Sequence, residues 1–394
     1  MKNNIYKIIT LCLIMACMCT TVSAAKKTIK GTKTTIPKGA TQQTDESAIA
    51  ILRNVQFTTE PRYDIAVARL DNGKVRIAWE TIAGNKVAGE SKLYTQSLQS
   101  IGTHVYHTTL KNEGKITEHR AIAFSNGNVL IAYNYDKQKG AFIVINQQNR
   151  IIRGPVEFNN TNTPSIALTR LMGGKTVLIA YHRNQGSHGS GKCVVVNAAG
   201  QIINGPSTFN DKGLTHSISA ATLTNGLIRL TYECGGGKTK IIDPYLQTIK
   251  NEKKFYSKRI NGITTTALNN GNTLIAYIDT NGKGKCIVMD QKNTTRHGPH
   301  TIHNNIRSIK SLKLNNGNVF MTFIADSDEK GMCTVVDTKG NRIKEIKSIM
   351  EGYKFYQNTT APALLQDNKV IIVFCASKKG SYSSDVYTGY VVMK

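Results

Sequence analysis

The chain has 394 residues and a formal charge of +26, from 51 Lys+Arg against 25 Asp+Glu. At 40% hydrophobic and only 19% charged it carries enough apolar material for a core, which excludes intrinsic disorder and coiled coil. The basic excess points toward anionic partners rather than toward a fold.

Residues 1–24 read as an export signal. Lys2 and Lys7 form a positive start, Ile8 to Thr20 is uncharged and mostly apolar, and Val22-Ser23-Ala24 offers small residues for cleavage. The stretch is short for a membrane span, and no later segment reaches about 18 apolar residues. A secreted or periplasmic protein is therefore expected. Leu13-Ile14-Met15-Ala16-Cys17 resembles a weak lipobox, so anchoring through Cys17 is the alternative. Removing the signal lowers the charge by two, to +24, and leaves five cysteines: Cys193, Cys234, Cys286, Cys333 and Cys375. An odd count leaves at least one unpaired. Three of them recur in matching contexts, which favours small buried hydrophobes over bridge partners. Residues 25–46, with Lys26, Lys27, Lys30, Lys33 and Lys38 among Thr and Gly, are expected to form a basic disordered tail.

Residues 47–394 are dominated by a repeat, the first thing to seek in a chain of this length. An apolar residue, a turn pair and an apolar run ending in an aromatic recur seven times. Leu70-Asp71-Asn72-Gly73 runs to Trp79, and the later copies end at Tyr133, Tyr181, Tyr232, Tyr277, Phe323 and Phe374. The aromatics lie 54, 48, 51, 45, 46 and 51 residues apart. Asn-Gly favours a tight type I′ hairpin, and the flanking runs are rich in β-formers. A third strand follows, as in Lys192 to Asn197. A fourth carries Gly-Pro in three copies, at Pro155, Pro206 and Pro299. Proline suits an outer strand, where its missing N–H costs nothing. Strict repetition of the aromatics argues for packing between repeats.

Seven four-stranded units of this period predict an all-β, seven-bladed β-propeller. The last repeat has only three strands, while Ile51 to Phe57 matches the fourth strand Ile152 to Phe158. The N-terminal strand is thus expected to complete the last blade and close the ring. The Leu-x-Asn-Gly-x-Val-x-Ile-Ala-Tyr element and its partner strands resemble those of secreted bacterial seven-bladed β-propeller repeat proteins. That resemblance implies a fold and no particular activity. The Ser-x-Asp-x-Gly-x-x-Trp box of sialidases, the WD signature and an intact Asp-rich calcium loop are absent, as are Gly-x-Ser-x-Gly, Walker and His-Glu-x-x-His motifs.

The Asn-Gly turns share one face, and the longer, more varied loops share the other, where function is expected. Nine residues before each turn lie Asp64, Glu118, Ser165, Ser217, Gly262, Ser308 and Thr359. Two further on, Arg120 and Lys310 stand among small residues. Asp64, Glu118, Arg120 and Lys310 therefore place charge at the channel mouth. The two carboxylates either serve as an acid–base pair or form salt bridges with the neighbouring cations, the latter being favoured. Tyr135, His182 and Arg183, just past the second-strand aromatics, and His216 and Arg307 between blades complete the candidate ligand set. His182, His188 and His216 could meet, although no metal site or cofactor is expected. His297, His300 and His303 alternate faces of one strand.

The favoured reading is a monomeric, non-enzymatic binding or scaffold module recognising a glycan, an anionic cell-surface polymer or a protein. The alternative is a carbohydrate-active enzyme, a hydrolase or lyase, using Asp64 and Glu118. Nucleic acid is disfavoured by export and by the lack of aromatics among the basic runs.

Overall fold

The structure is a computed structural model that describes residues 49, 51–58, 63–83, 86–106, 117–135, 139–186, 188–365, 369–378 and 386–393. All lie within one compact unit, Glu46–Lys394. The expected signal and basic tail fall outside the described residues. The described residues form twenty-eight strands, grouped as seven antiparallel sheets of four.

Each sheet is a blade, and the chain is a seven-bladed β-propeller. The innermost strands are β2 (Tyr63–Arg69), β6 (Thr117–Ala123), β10 (Ile166–Arg170), β14 (His216–Thr222), β18 (Asn261–Ala267), β22 (Ile306–Lys313) and β26 (Tyr353–Leu364). Each is followed outward by its second, third and fourth strands. In the seventh blade the order is β26, β27 (Val370–Lys378), β28 (Val386–Met393) and then β1 (Ile51–Thr58). The β1 register runs from Ile51 opposite Met393 to Thr58 opposite Thr388. Blades seven and one share an apolar core in which Ile65, Ile77 and Trp79 meet Ile371 and Val373.

Sequence periodicity explains the packing. Second-strand residues face neighbouring blades on both sides, so they read as continuous apolar runs such as Val129–Tyr133, buried throughout. The seven repeating aromatics are all 2% exposed or less. Phe158, at the end of the second blade's fourth strand, packs at 4.9 Å on Tyr181 of the third, and Phe209 at 5.2 Å on Tyr232 of the fourth. The aromatics therefore join adjacent blades, as their repetition required. All five cysteines are buried and none is in a disulfide, which fits their reading as small hydrophobes.

The hairpin turns correct one expectation: they are not type I′. Gly73, Gly127, Gly226, Gly271 and Gly317 have φ between 80 and 86°, but none of the Asn residues before them has positive φ. Leu70 N–H bonds to Lys74 O, and Gly73 N–H to Leu70 O. This is a three-residue loop in which the glycine takes the left-handed position. The reason is the asparagine side chain. Asn72 Oδ1 accepts from Lys74 N–H, and Asn126, Asn225, Asn270 and Asn316 do the same two residues on. That Asx bond holds the asparagine in a right-handed turn and moves positive φ to the glycine.

Candidate functional site

The site begins with a defect repeated in the inner strands. Pairing to the second strand breaks between Tyr63 and Ala66, Thr117 and Arg120, His216 and Ser219, and Asn261 and Ile263. At these bulges Asp64, Glu118, Ser217 and Gly262 all have positive φ, between 46 and 75°. For a non-glycine residue this costs about 1 kcal/mol or more, and such strain persists only where surroundings impose it. Here the neighbouring blades impose it. Ile218 N–H donates to Ser165 Oγ of the preceding blade at 3.1 Å, and Gly262 N–H to Ser217 Oγ at 3.2 Å. Ser165 and Ser217 thus stitch one blade to the next around the mouth. Thr359 donates instead to Tyr356 O and Cys375 O of its own blade, and Ser308 is 3% exposed with no hydrogen-bond partner for its hydroxyl.

Charge is laid on this belt. Arg120 donates to Glu118 Oε2 at 2.6 Å, His119 O at 2.8 Å and Ile166 O at 3.1 Å, so it is fixed by its own strand and the next blade. Glu118 is thereby tied in an ion pair, the favoured expectation. Burial pushes the Asp64 carboxyl up to about 6; Glu118 adds to the rise, and Arg120 and Lys310 oppose it. Burial likewise pulls Lys310 down to about 8, helped by Arg120 and opposed by Glu118 and Asp64. Arg307 donates to Glu329 Oε1 at 3.0 Å and to Phe355 O at 2.9 Å, which orients it from the sixth blade toward the seventh.

These groups border a cavity of about 480 Å³, lined by Glu118, Arg120, Ser165, His216, Ser217, Arg259, Asn261, Arg307, Ser308 and Lys310 together with backbone and isoleucines. Past it lies a second space of about 330 Å³, lined by residues of all seven inner strands, which is the central channel. Arg120 and Lys310 border both spaces and so form a charged collar between mouth and channel. Arg259 lies in the segment leading into β18, where the copies share no pattern, so no sequence signal marked it. It is exposed, and neither it nor Lys310 has a carboxylate within ion-pairing distance among the described residues.

Of the residues expected at the site, Glu118, Arg120, His216, Arg307 and Lys310 line the mouth, with Asp64 acting electrostatically beside them. Three lie elsewhere. The Tyr135 hydroxyl donates to the Glu157 carboxylate on its own blade's fourth strand. Arg183 lines a separate cleft of about 350 Å³ with Glu157, Phe158 and Lys192. His182 is fully buried, neither ring nitrogen is hydrogen-bonded, and its ring stands perpendicular to His216 at 5.4 Å. It backs the wall and cannot touch a ligand. Both residues follow the second-strand aromatic, but alternation along the strand turns His182 inward and leaves Arg183 half-exposed. The His188 side chain lies outside the described residues. Among the described residues no three His, Cys, Asp or Glu side chains are placed to hold a metal ion.

No family model matches the chain. No curated protein matches it. Among solved structures it is similar to a protein of unknown function from Dyadobacter fermentans DSM 18053, with a TM-score of 0.57 and 9% identity over 88% of this chain and 99% of that one. At that identity the likeness is one of fold.

Proposed function

We propose that this is an exported, non-enzymatic binding β-propeller that takes an anionic glycan, surface polymer or protein partner at the channel mouth. The observation that carries the reading is the unequal charge of the mouth. Four cations, Arg120, Arg259, Arg307 and Lys310, line one cavity with a single carboxylate, Glu118, which Arg120 already engages. A concave site with one dominant sign of charge focuses its field and raises the local concentration of the opposite ion. The cavity volume suits a small ligand or one protruding unit of a larger one. Export rests on the first 24 residues; among the described residues no helix is long and apolar enough to cross a membrane. The protein is taken to act as a monomer. A glycan array combined with heparin retention at graded salt tests the proposal. Retention that weakens steadily with salt is expected, and no binding to any acidic polymer or protein partner at low salt would overturn it.

One observation favours a second reading. Asp64, with its carboxyl raised to about 6, stands beside Glu118, which Arg120 engages in an ion pair. Carboxyl groups in such contrasting environments can act as acid and base in glycoside cleavage. Turnover of a polysaccharide that disappears in Asp64→Asn and Glu118→Gln would support a carbohydrate-active enzyme. Turnover surviving both would remove these residues from it.

A further inference from the structure

We infer that the ligand of the mouth is the acidic end of a glycan chain, its terminal sugar carboxylate received by Lys310, Arg259 and the hydroxyl of Ser308. The inference rests on the binding reading above and names the ligand class for the same cavity. Three observations carry it.

First, the cations are not equivalent. Arg120 and Arg307 are committed to Glu118 and Glu329, whereas Arg259 and Lys310 have no carboxylate within ion-pairing distance among the described residues. They come from adjacent blades, Arg259 just before β18 and Lys310 on β22, and line the same cavity. A guanidinium fork and an ammonium lining one cavity suit a single anionic group, since a carboxylate can accept from both.

Second, Ser308 lies two residues from Lys310 and lines that cavity, buried and without a hydrogen-bond partner. Its counterparts Ser165 and Ser217 accept from the next blade's amides. A buried hydroxyl left unpaired costs about 1–3 kcal/mol, and a ligand oxygen can remove that cost.

Third, shape and wall chemistry select the kind of acid. The collar of Arg120 and Lys310 stands where the mouth meets the central channel, so a ligand entering along the channel axis presents its end to it. The isoleucines of the wall, Ile218, Ile260, Ile263, Ile278, Ile306 and Ile309, are each 8% exposed or less. What a ligand meets is Ser, Asn, His, Arg, Lys, the ion-paired Glu118 and backbone. That wall suits a polyhydroxylated sugar better than an apolar peptide side chain.

Isothermal titration with digalacturonate, its neutral dimethyl ester, acetate and an acidic tripeptide tests the inference. Digalacturonate is expected to bind about tenfold or more tightly than the ester. Lys310→Met should weaken it about tenfold, and Ser308→Ala and Arg259→Gln by smaller factors. Arg183→Gln, in the separate cleft, should bind as the wild type, and circular dichroism of each variant checks folding. Equal binding of acid and ester would overturn the carboxylate. Acetate or the tripeptide matching digalacturonate would overturn the sugar. Failure of digalacturonate with retention on other acidic polymers would overturn this inference and leave the binding reading standing. Failure of every glycan, polymer and protein partner would remove both.

Discussion

His182 is enclosed completely, with both ring nitrogens unpartnered, and burial with the nearby His216 lowers it to about 4. An unfolded histidine titrates near 6.5. Between these values the unfolded chain binds more protons, so stability is present above 6.5 and is lost as pH falls toward 4. The cost is on the order of 2–3 kcal/mol. Urea midpoints of the wild type should drop between pH 7 and pH 4, and His182→Leu should flatten that drop. An unchanged slope in the variant would exclude His182 as the source. Asp64 and Lys310 give the mouth its own pH response. Below about 6 Asp64 gains a proton and stops offsetting Arg120 and Lys310; above about 8 Lys310 loses one. Affinity for an anionic polymer should therefore rise on the acid side and fall on the alkaline side. His216 also faces the cavity, so Asp64→Asn isolates the carboxyl: it should bind more tightly than the wild type at pH 7 and show a smaller rise between pH 7 and pH 5. Surface plasmon resonance across that range at fixed salt reads both. At this scale the sequence was least informative. His182 and Arg183 looked alike, as polar residues after an aromatic, and only the pleat separates the one inside the wall from the other beside a different cleft.

Blades are joined by aromatics, by the serine belt and by two buried arginines. Arg229 on the fourth blade's second strand is fully buried; it donates to Thr239 Oγ1 in its own blade and to Thr273 Oγ1, Asn293 Oδ1 and Asp290 O of the fifth. Arg76 does the same from the first blade, reaching Asn149 Oδ1 at 2.6 Å and Asn146 O of the second. Both acceptor asparagines, Asn149 and Asn293, have positive φ, which places the amide for the guanidinium. Burial pulls both arginines down to about 10, so they stay charged at neutral pH. Arg229→Ala leaves a buried amide oxygen and a backbone carbonyl without this donor and should cost about 1–3 kcal/mol for each left unpaired, read as a lower urea midpoint. A change under about 1 kcal/mol would show that solvent replaces the latch. The repeat made the strands and aromatics legible, because packing between blades imposes the same chemistry seven times. It hid these arginines, since the other copies hold Leu, Phe or Ile there. It also misled on the turns, because Asn-Gly serves two loop geometries and the asparagine side chain decides between them.

Across the whole molecule, one chain makes a ring by returning its first described strand to the last blade. The missing fourth strand of the seventh repeat and the orphan strand Ile51 to Phe57 were legible together, and β1 lies on β28. Deleting residues 47–57 should expose the edge of β28, lower the melting temperature and broaden the transition in calorimetry. Unchanged melting would mean that β1 does not help to hold the seventh blade. The charge is legible only as a total. The sequence spreads it over seven repeats, and the mouth collects part of it because Arg259, Arg307 and Lys310 sit in segments that converge only once the ring forms.

The most direct test of the central claim compares salt elution from a heparin column for two double variants. Arg259→Gln with Lys310→Met removes two cations from the mouth, and Lys253→Gln with Lys254→Gln removes two from the outermost strand of the fourth blade. Binding at the channel mouth predicts that the first elutes at clearly lower salt and the second with the wild type. An equal shift for both would show that the attraction belongs to the overall charge and would contradict the account.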